Sequence, residues 1–177
     1  MTGEAGAVTV RPARAEDVSG LIAALSQPHY FAHRFARQPR MGILLVALQG
    51  DATVVGSAFL RLAPAEEWEL RERLRKVPVL THVEVVAGQR RNGVGRKIVQ
   101  AAEEHARRHG RRWIALGVKD DNNAARQMYN GLGYEDWGRG PVNALVETFD
   151  DNGGRTVGTE SCQILVKSLF GAPRDGG

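Results

Sequence analysis

The loop RRNGVGRK, residues 90–97, combines glycines and cations between an apolar segment and a helix-like segment. At Gly93 and Gly95 the backbone can approach a ligand closely, where a Cβ atom would clash. A helix that begins here would present unpaired amide N–H groups and the positive end of its dipole. The cations that could add charge-assisted hydrogen bonds are Arg90, Arg91, Arg96 and Lys97. The loop therefore predicts a site for a phosphate-bearing ligand.

The loop alone does not decide which phosphate ligand binds. A dinucleotide-binding fingerprint needs a third glycine at position 98, which is Ile98. A nucleoside-triphosphate loop needs Gly-Lys followed by Ser or Thr, which the sequence lacks. Both of these ligand classes are disfavoured, and a plain glycine turn with solvated arginines stays open at this point.

A second candidate for chemistry is Glu84, which lies inside the apolar segment VLTHVEVV (79–86). A carboxylate is costly there unless it is paired or used. It could be a general base that acts directly or through a water molecule, or a buried carboxylate paired with an arginine or an amide. Strand alternation predicts His82 on the same face, as a partner of Glu84 or as a packed histidine.

Histidines spaced four residues apart could face one another on helices, at His29 with His33 and at His105 with His109. Zinc needs further ligands, and the single cysteine, Cys162, is remote in sequence from both pairs. Cys162 lies in a strand-like segment and is interpreted as a small buried hydrophobic residue. We therefore expect no metal site.

Length and composition bound the class of protein. The chain has 177 residues, 42% hydrophobic and 25% charged, which is typical of one globular domain. We expect that domain to span 1–177, with a core over about 7–170 and a disordered tail at 171–177. No apolar run is long enough to cross a membrane, no signal-peptide pattern is present, and a single cysteine is typical of a reducing cytoplasm. We therefore expect a cytoplasmic protein, and the excess of arginine over lysine hints at a bacterial genome.

Apolar periodicity predicts a mixed α/β order around these residues. The predicted strands lie at 8–12, in a hairpin within 42–63, at 79–86, at 112–118 and in a closing hairpin within 143–169. The predicted helices lie at 15–27, 29–38, 65–78, 93–109 and 122–133. We expect a single α/β domain, a twisted mixed sheet of about six or seven strands with helices on both faces. The unit from 79 to 118 should be a right-handed parallel crossover.

Two motifs together resemble the GNAT superfamily of N-acetyltransferases. RRNGVG (90–95) matches its Arg/Gln-x-x-Gly-x-Gly/Ala signature, after a strand and before a helix as that family requires. NNAARQMYNGLGY (122–134) resembles its Asn-x-x-Ala-x-x-x-Tyr-x-x-x-Gly-Phe/Tyr pattern. The similarity is strongest over residues 79–137. The resemblance implies a GNAT-like fold and an enzyme that uses acetyl-coenzyme A.

The resemblance also implies roles for individual residues. Backbone N–H groups of 90–96 would bind the pyrophosphate, and main-chain atoms of Val83 and Val85 would pair with the pantetheine arm. Tyr129 would protonate the coenzyme A thiolate, and Glu84 is the candidate base. The residues expected at the cofactor are Val83, Val85, Arg90, Arg91, Asn92, Gly93, Val94, Gly95, Arg96, Asn122 and Arg126.

The chain departs from the family pattern at two positions. Ala87 stands where many members have proline, which should be tolerated. Gly117 stands where some members place a catalytic glutamate, so a base from that strand is in doubt.

The acceptor is less well determined. The family builds its acceptor cleft from segments that correspond to 26–40, 63–78 and 136–158. The first offers aromatic and cationic side chains and the second offers glutamates, so the charge of the acceptor stays open.

We expect acetyl transfer to a primary amine of a small molecule, by direct attack on the thioester. Acetylation of a protein N-terminus or lysine is one alternative, and a non-catalytic acyl-coenzyme A binding module is another. Nucleic-acid binding rests only on arginine clusters and ranks last. The resemblance also allows a homodimer through the closing strands.

Overall fold

Strand-forming and helix-forming segments follow one another along the chain and build one mixed sheet with helices on both faces. The computed structural model describes residues 6–50 and 52–171, so the predicted tail lies outside the described residues except for Gly171. The strands are β1 (Val8–Pro12), β2 (Gly42–Gln49), β3 (Thr53–Arg61), β4 (Val79–Val85), β5 (Trp113–Lys119), β6 (Glu135–Asp136), β7 (Val142–Phe149) and β8 (Arg155–Ser168). The α-helices are α1 (Asp17–Leu25), α2 (Pro28–Ala36), α3 (Trp68–Arg73), α4 (Val94–Arg108) and α5 (Asn123–Gly131).

The sheet is antiparallel except at its centre. Its strand order is β1-β2-β3-β4-β5-β8-β6, and β7 pairs with the first half of β8. Strands β4 and β5 are parallel neighbours on either side of α4 in the chain, as predicted for a strand–helix–strand crossover. The predicted mixed α/β sheet is confirmed. The two-residue strand β6 was not predicted from the sequence, because it is too short to show a periodic pattern.

Strands β4 and β5 pair over two residues and then diverge. The last paired residues are Leu80 and Leu116. Beyond them the register of β4 against β3 shifts, and His82 takes a left-handed φ of 55°. The mostly apolar segment 79–86 predicts a central strand buried on both faces, and this prediction is wrong. Only Val79 and Leu80 are buried, because the rest of the strand borders the wedge that opens between β4 and β5.

Helices α4 and α5 pack on one face of the sheet, and α1 and α2 pack on the other. The buried residues of α4 are Val94, Ile98, Val99, Ala102, Glu103 and Ala106. Ala101 and His105, which the pattern also assigns to the packed face, are only half-buried, because the buried stripe is rotated toward Glu103. The carboxylate of Glu103 is tolerated there because Lys167 Nζ donates to it at 2.9 Å.

Helix lengths agree with the predicted segments except at α3. The sequence predicts a helix over 65–78, but only Trp68–Arg73 is helical. Leu70 is the one residue of α3 that is buried, so the surrounding charged residues have no apolar stripe to hold a longer helix against the sheet. No helix in the described part of the chain is long and apolar enough to cross a membrane.

Candidate active site

The glycine loop presents a row of amide groups without protein acceptors. Helix α4 begins at Val94, and its first backbone hydrogen bond runs from the Lys97 N–H to the Gly93 carbonyl at 3.1 Å. Among the described residues, no backbone or side-chain acceptor takes the N–H groups of 91–96. Most of the loop is exposed. These amides are the groups that an anion would use at a helix N-terminus.

The two glycines of the loop are needed for different physical reasons. Gly93 has a left-handed φ of 76°, and nothing lies near the position that its Cβ would occupy. Gly95 packs against α5, since a Cβ there would lie 3.3 Å from the sulfur of Met128. The sequence attributes both glycines to close approach of a ligand. The structure shows in addition that Gly93 serves the turn and that Gly95 packs closely against α5.

The edge of β4 beyond Leu80 has no strand partner on the β5 side. Val83, on this free edge, lines the wedge. The carbonyl of Val85 accepts a hydrogen bond from Arg90 Nε at 3.3 Å, which ties the strand to the glycine loop. An extended ligand could therefore lie along β4 and end at the loop.

Helix α5 carries the second motif to the other side of the wedge. Asn122 is its N-cap, and the Asn122 side-chain oxygen accepts from the Ala125 N–H at 3.2 Å. Arg126 does not reach the wedge and instead donates to the Asp120 carbonyl at 3.2 Å. Tyr129 is 6% exposed and lines the wedge. Burial raises the pKa of Tyr129 to about 12, so the phenol stays protonated at neutral pH.

A cavity of about 790 Å³ opens at the wedge between β4 and β5. There it is lined by Val83, Asn122 and Tyr129, three of the residues predicted for the cofactor and for catalysis. It continues over the sheet face that α1 and α2 cover, where Arg34 and Glu67 line it. One cavity thus joins the cofactor motifs to the segments predicted for the acceptor.

The hairpin of β7 and β8 roofs the acceptor side of this cavity. At its turn, His29 Nε2 lies 3.3 Å from the Asp151 carbonyl oxygen. Gly153 has a left-handed φ of 81°, and a Cβ there would come within 3.0 Å of the His29 ring. Further along β7, Glu147 Oε2 lies 3.4 Å from Arg34 Nη2 on α2. The acceptor side is therefore a roofed space.

Glu84, the predicted base, lies beside the cavity and is not one of its lining residues. Its Oε2 accepts from Gln27 Nε2 at 2.7 Å and lies 3.2 Å from His82 Nε2. The predicted juxtaposition of Glu84 and His82 is therefore present. His82 does line the cavity, and its ring stacks on Tyr30 with centroids 4.1 Å apart.

The electrostatics around His82 favour its neutral form. Burial lowers the pKa of His82, and the positive charge of Arg34 lowers it further. The negative charge of Glu84 opposes this shift. The His82 side chain is still 35% exposed, because it faces the cavity. A neutral imidazole that faces a cavity can accept a proton.

Charged side chains of both signs line the cavity. The cations are Arg34, Arg61 and Lys119, and the carboxylates are Glu66, Glu67, Glu147, Asp150, Asp151 and Glu160. Three carboxylates are paired, Glu147 with Arg34, Glu66 with Arg61 and Glu160 with Lys119. Glu67 instead accepts from the Leu145 N–H at 2.9 Å, which fixes α3 to β7. The opposite signs seen in the sequence segments thus meet in one space.

The remaining predicted cofactor residues lie outside this cavity. They are Val85, Arg90, Arg91, Asn92, Gly93, Val94, Gly95, Arg96 and Arg126. Cys162 is buried, as predicted, and contributes to the cavity lining. Within residues 6–50 and 52–171, no group of three or more His, Cys, Asp or Glu could hold a metal ion.

Sequence reasoning did not single out Gln27 or Glu147. Gln27 meets Glu84 across 57 positions of the chain, and Glu147 meets Arg34 across the cavity. No local pattern marks such residues, because their roles arise only when distant segments pack together. The single available signal was that both lie in the segments assigned to the acceptor cleft.

Comparison with known proteins is consistent with this geometry. Residues 14–134 match the Acetyltransferase (GNAT) family. No curated protein matches the chain in sequence. Many solved structures share its fold at low sequence identity.

Three solved structures illustrate that likeness. The ribosomal-protein-S18-alanine N-acetyltransferase from Escherichia coli is 14% identical, with a TM-score of 0.62 over 97% of this chain and 99% of that chain. An N-acetyltransferase from Staphylococcus aureus Mu50 is 16% identical, with a TM-score of 0.65 over 93% and 99%. The protein yncA from Salmonella typhimurium, solved with its cofactor acetyl-CoA, is 20% identical, with a TM-score of 0.60 over 97% and 100%. The family match covers well over half of the chain, so the protein belongs to the GNAT family of acetyltransferases and uses acetyl-coenzyme A.

Proposed function

We propose that this acetyltransferase acetylates the primary amine of a small molecule bound in the roofed cavity. The observation that carries the proposal is the continuity of that cavity, which holds Tyr129 at the wedge and His82 on the acceptor side. Its volume of about 790 Å³ lies in the range of small-molecule sites. The contact between His29 and Asp151 joins α2 to the β7–β8 hairpin on this side, which favours a small acceptor over a peptide.

The chain's free backbone groups fit acetyl-coenzyme A. The unpaired N–H groups of 91–96 suit its pyrophosphate, and the free edge of β4 at Val83 and Val85 suits its extended pantetheine arm. Asn122 lines the wedge beside that edge, and Arg126 lies one helical turn further on α5. When bound, acetyl-coenzyme A supplies an activated acetyl thioester and a thiolate leaving group.

Tyr129 is proposed as the proton donor to the leaving thiolate. Its phenol is held protonated by burial, which raises its pKa to about 12. No described residue hydrogen-bonds its hydroxyl, so the proton at Oη is free for a ligand. A thiolate in the same apolar surroundings is also poorly solvated, which raises its own pKa and favours the transfer.

His82 and Glu84 are proposed to remove the proton from the attacking amine. The carboxylate of Glu84, held by Gln27, lies beside His82 Nε2 and favours the tautomer with its proton on that atom. The other ring nitrogen, Nδ1, is then free to accept a proton from an amine in the cavity. Glu84 acts in this scheme through His82. Its negative charge stabilises the imidazolium that forms when His82 takes the proton.

The test is amine-dependent release of coenzyme A across a panel of free primary amines. We expect turnover of at least one amine by the wild-type enzyme and its loss in Tyr129→Phe, while both proteins bind acetyl-coenzyme A equally. Binding of acetyl-coenzyme A with no turnover of any free amine would refute the proposal. In that case, acetylated peptides would indicate a protein acetyltransferase, and no product at all would indicate a binding module.

A further inference from the structure

Arg34 projects from α2 into the wall of the cavity, where its guanidinium group lies against two aromatic rings. Its guanidinium carbon lies 5.2 Å from the ring centroid of Tyr30 and 5.0 Å from that of Phe59. The Arg34 side chain is only 14% exposed. Its Nε is buried and has no hydrogen-bond partner among the residues that the structure describes. Two aromatic faces thus hold a nearly buried cation, and one of its hydrogen-bond donors has no acceptor.

The neighbouring carboxylate does not satisfy Arg34. Glu147 Oε2 lies 3.4 Å from Arg34 Nη2, and that oxygen accepts no hydrogen bond. The other oxygen of Glu147 accepts from Arg155 Nη2 at 2.7 Å. Two arginines therefore share one carboxylate. His33 adds no charge near pH 7, because burial and the charge of Arg37 lower its pKa.

At this point of the wall, two guanidinium groups thus face one carboxylate, and the Nε of Arg34 has no acceptor among the described residues. Burying a guanidinium without acceptors is unfavourable, so such donors normally bond to a ligand or to ordered water. A carboxylate matches them best, since the planar guanidinium can donate two parallel hydrogen bonds to its oxygens. The hydroxyl of Tyr30 is buried beside Arg34 and has no partner either.

The position of Arg34 relative to His82 limits the ligand. Both side chains stack on Tyr30, with His82 4.1 Å and Arg34 5.2 Å from its ring centroid, so the two groups are at most about 9 Å apart. A ligand that hydrogen-bonds to both groups must therefore carry its amine and its carboxylate a short distance apart. An amine and a carboxylate on the same carbon atom, as in a free amino acid, meet this condition.

We propose that the acceptor is a free amino acid whose carboxylate is bound by Arg34. The proposal rests on the proposed function, since it takes the acetylated amine to lie at His82. The side chain of the amino acid would occupy the apolar part of the cavity, which includes Leu70, Leu116 and Ile164. Arg34 is then a specificity-determining residue, and Glu147 positions it from the roof.

The test uses matched acceptors that differ only in the carboxylate. The pairs are L-leucine and 3-methylbutylamine, L-methionine and 3-(methylthio)propylamine, and L-phenylalanine and 2-phenylethylamine. Acetylation is measured as kcat/KM, and binding of each compound to the enzyme is measured separately by calorimetry. In the wild-type enzyme, we expect at least one amino acid to be preferred over its matched amine by about tenfold to hundredfold. Arg34→Met should abolish that preference in both measurements.

The matched control is Arg155→Met, which removes the other arginine on Glu147 without altering a residue of the cavity wall. It should keep the preference for the amino acid. If Arg34→Met does not fold, Arg34→Lys keeps the charge but loses the planar fork, and it should reduce the preference.

Two outcomes separate this inference from the function on which it rests. If free amines are acetylated but no amino acid is preferred over its matched amine, the carboxylate site is wrong and the small-molecule function stands. If acetyl-coenzyme A binds and no free amine or amino acid is acetylated, both are wrong. An equal loss of preference in Arg34→Met and Arg155→Met would also overturn the specific role of Arg34.

Discussion

The proposed cofactor site and the proposed acceptor side of the cavity are built from different parts of the chain. On the cofactor side, the free groups are the amides of 91–96 and the backbone edge of β4. On the acceptor side, the groups are side chains from α2, β4 and β7, among them Arg34, His82 and Glu147. Ligand binding by backbone groups depends on the conformation of the chain and tolerates many substitutions. Ligand binding by side chains can change with a single substitution. The acceptor of such an enzyme can therefore change while its cofactor stays the same.

The largest expected effect is at the junction of the two sides. Tyr129→Phe removes the proposed proton donor, and kcat should fall by about 10²–10⁴-fold. The ring and its packing in the main core are kept, so the melting temperature and its rise with acetyl-coenzyme A should change little. A variant with unchanged kcat would assign Tyr129 to packing alone.

His82→Gln should lower kcat/KM by about 10²-fold. Because the pKa of His82 is lowered, the wild-type enzyme should lose activity only as the pH falls below about 6.5, the ordinary value for histidine. The variant should lose this acid limb of the pH profile, and Glu84→Gln should shift it. An acid limb that is identical in all three enzymes would show that another group removes the proton.

Asp17→Asn tests how α1 supports the acceptor side. Asp17 accepts from Arg11 at 2.7 and 2.9 Å and from the Arg14 N–H at 2.6 Å. The loss should be about 2 kcal/mol in the free energy of unfolding, measured with urea at pH 7. Glu16→Gln is the matched control, since its pair with Arg14 is exposed, and it should change stability by less than about 0.5 kcal/mol.

The carboxylate of Asp17 also makes the stability of the protein depend on pH. The hydrogen bond from Arg11 is the main cause of the lowered pKa of Asp17, helped by the Arg14 N–H and opposed by burial. Its contribution to stability is therefore complete above the ordinary value of 3.8 and is lost as the pH falls through the lower folded value. The stability difference between wild type and Asp17→Asn should shrink in that acid range. A difference that stays constant down to pH 2 would contradict this assignment.

The smallest expected effect tests whether acetyl-coenzyme A binding depends on the backbone conformation of the glycine loop or on the charge of its arginines. Gly93→Ala places a Cβ at a left-handed φ and should weaken acetyl-coenzyme A binding by about fivefold, equivalent to about 1 kcal/mol of strain. Arg91, at a φ of 66°, already carries such strain. Arg91→Gly should therefore lose one charge but relax the turn, with little net change in Kd. A greater loss in Arg91→Gly than in Gly93→Ala, measured by calorimetry, would favour side-chain charge over backbone conformation.

The elements that carry the proposed cofactor site were largely predictable from the sequence, because their signals are local. A strand, a glycine loop and a helix follow one another within 79–108, and Tyr129 and Asn122 belong to one short motif. The order of elements and the central crossover followed from periodicity. The close packing of Gly95 was not predictable, because it involves the sulfur of Met128 on another helix.

The acceptor side was not predictable beyond its segments. Its charges, at Arg34 and Glu147, are more than one hundred positions apart in the chain and meet only because the β7–β8 hairpin bends over α2. The length of α3 depends on the single buried Leu70, and the exposure of β4 depends on its divergence from β5. The homodimer through the closing strands stays a prediction.

The central claim is that the roofed cavity admits a small amine and excludes a peptide. The most direct measurement is a competition in one reaction between free primary amines and peptides of about ten residues with the same terminal groups, with the acetylated products quantified by mass spectrometry. The account predicts that acetylated small amines accumulate while the peptides stay unmodified. Acetylated peptides in the presence of unmodified small amines would contradict it.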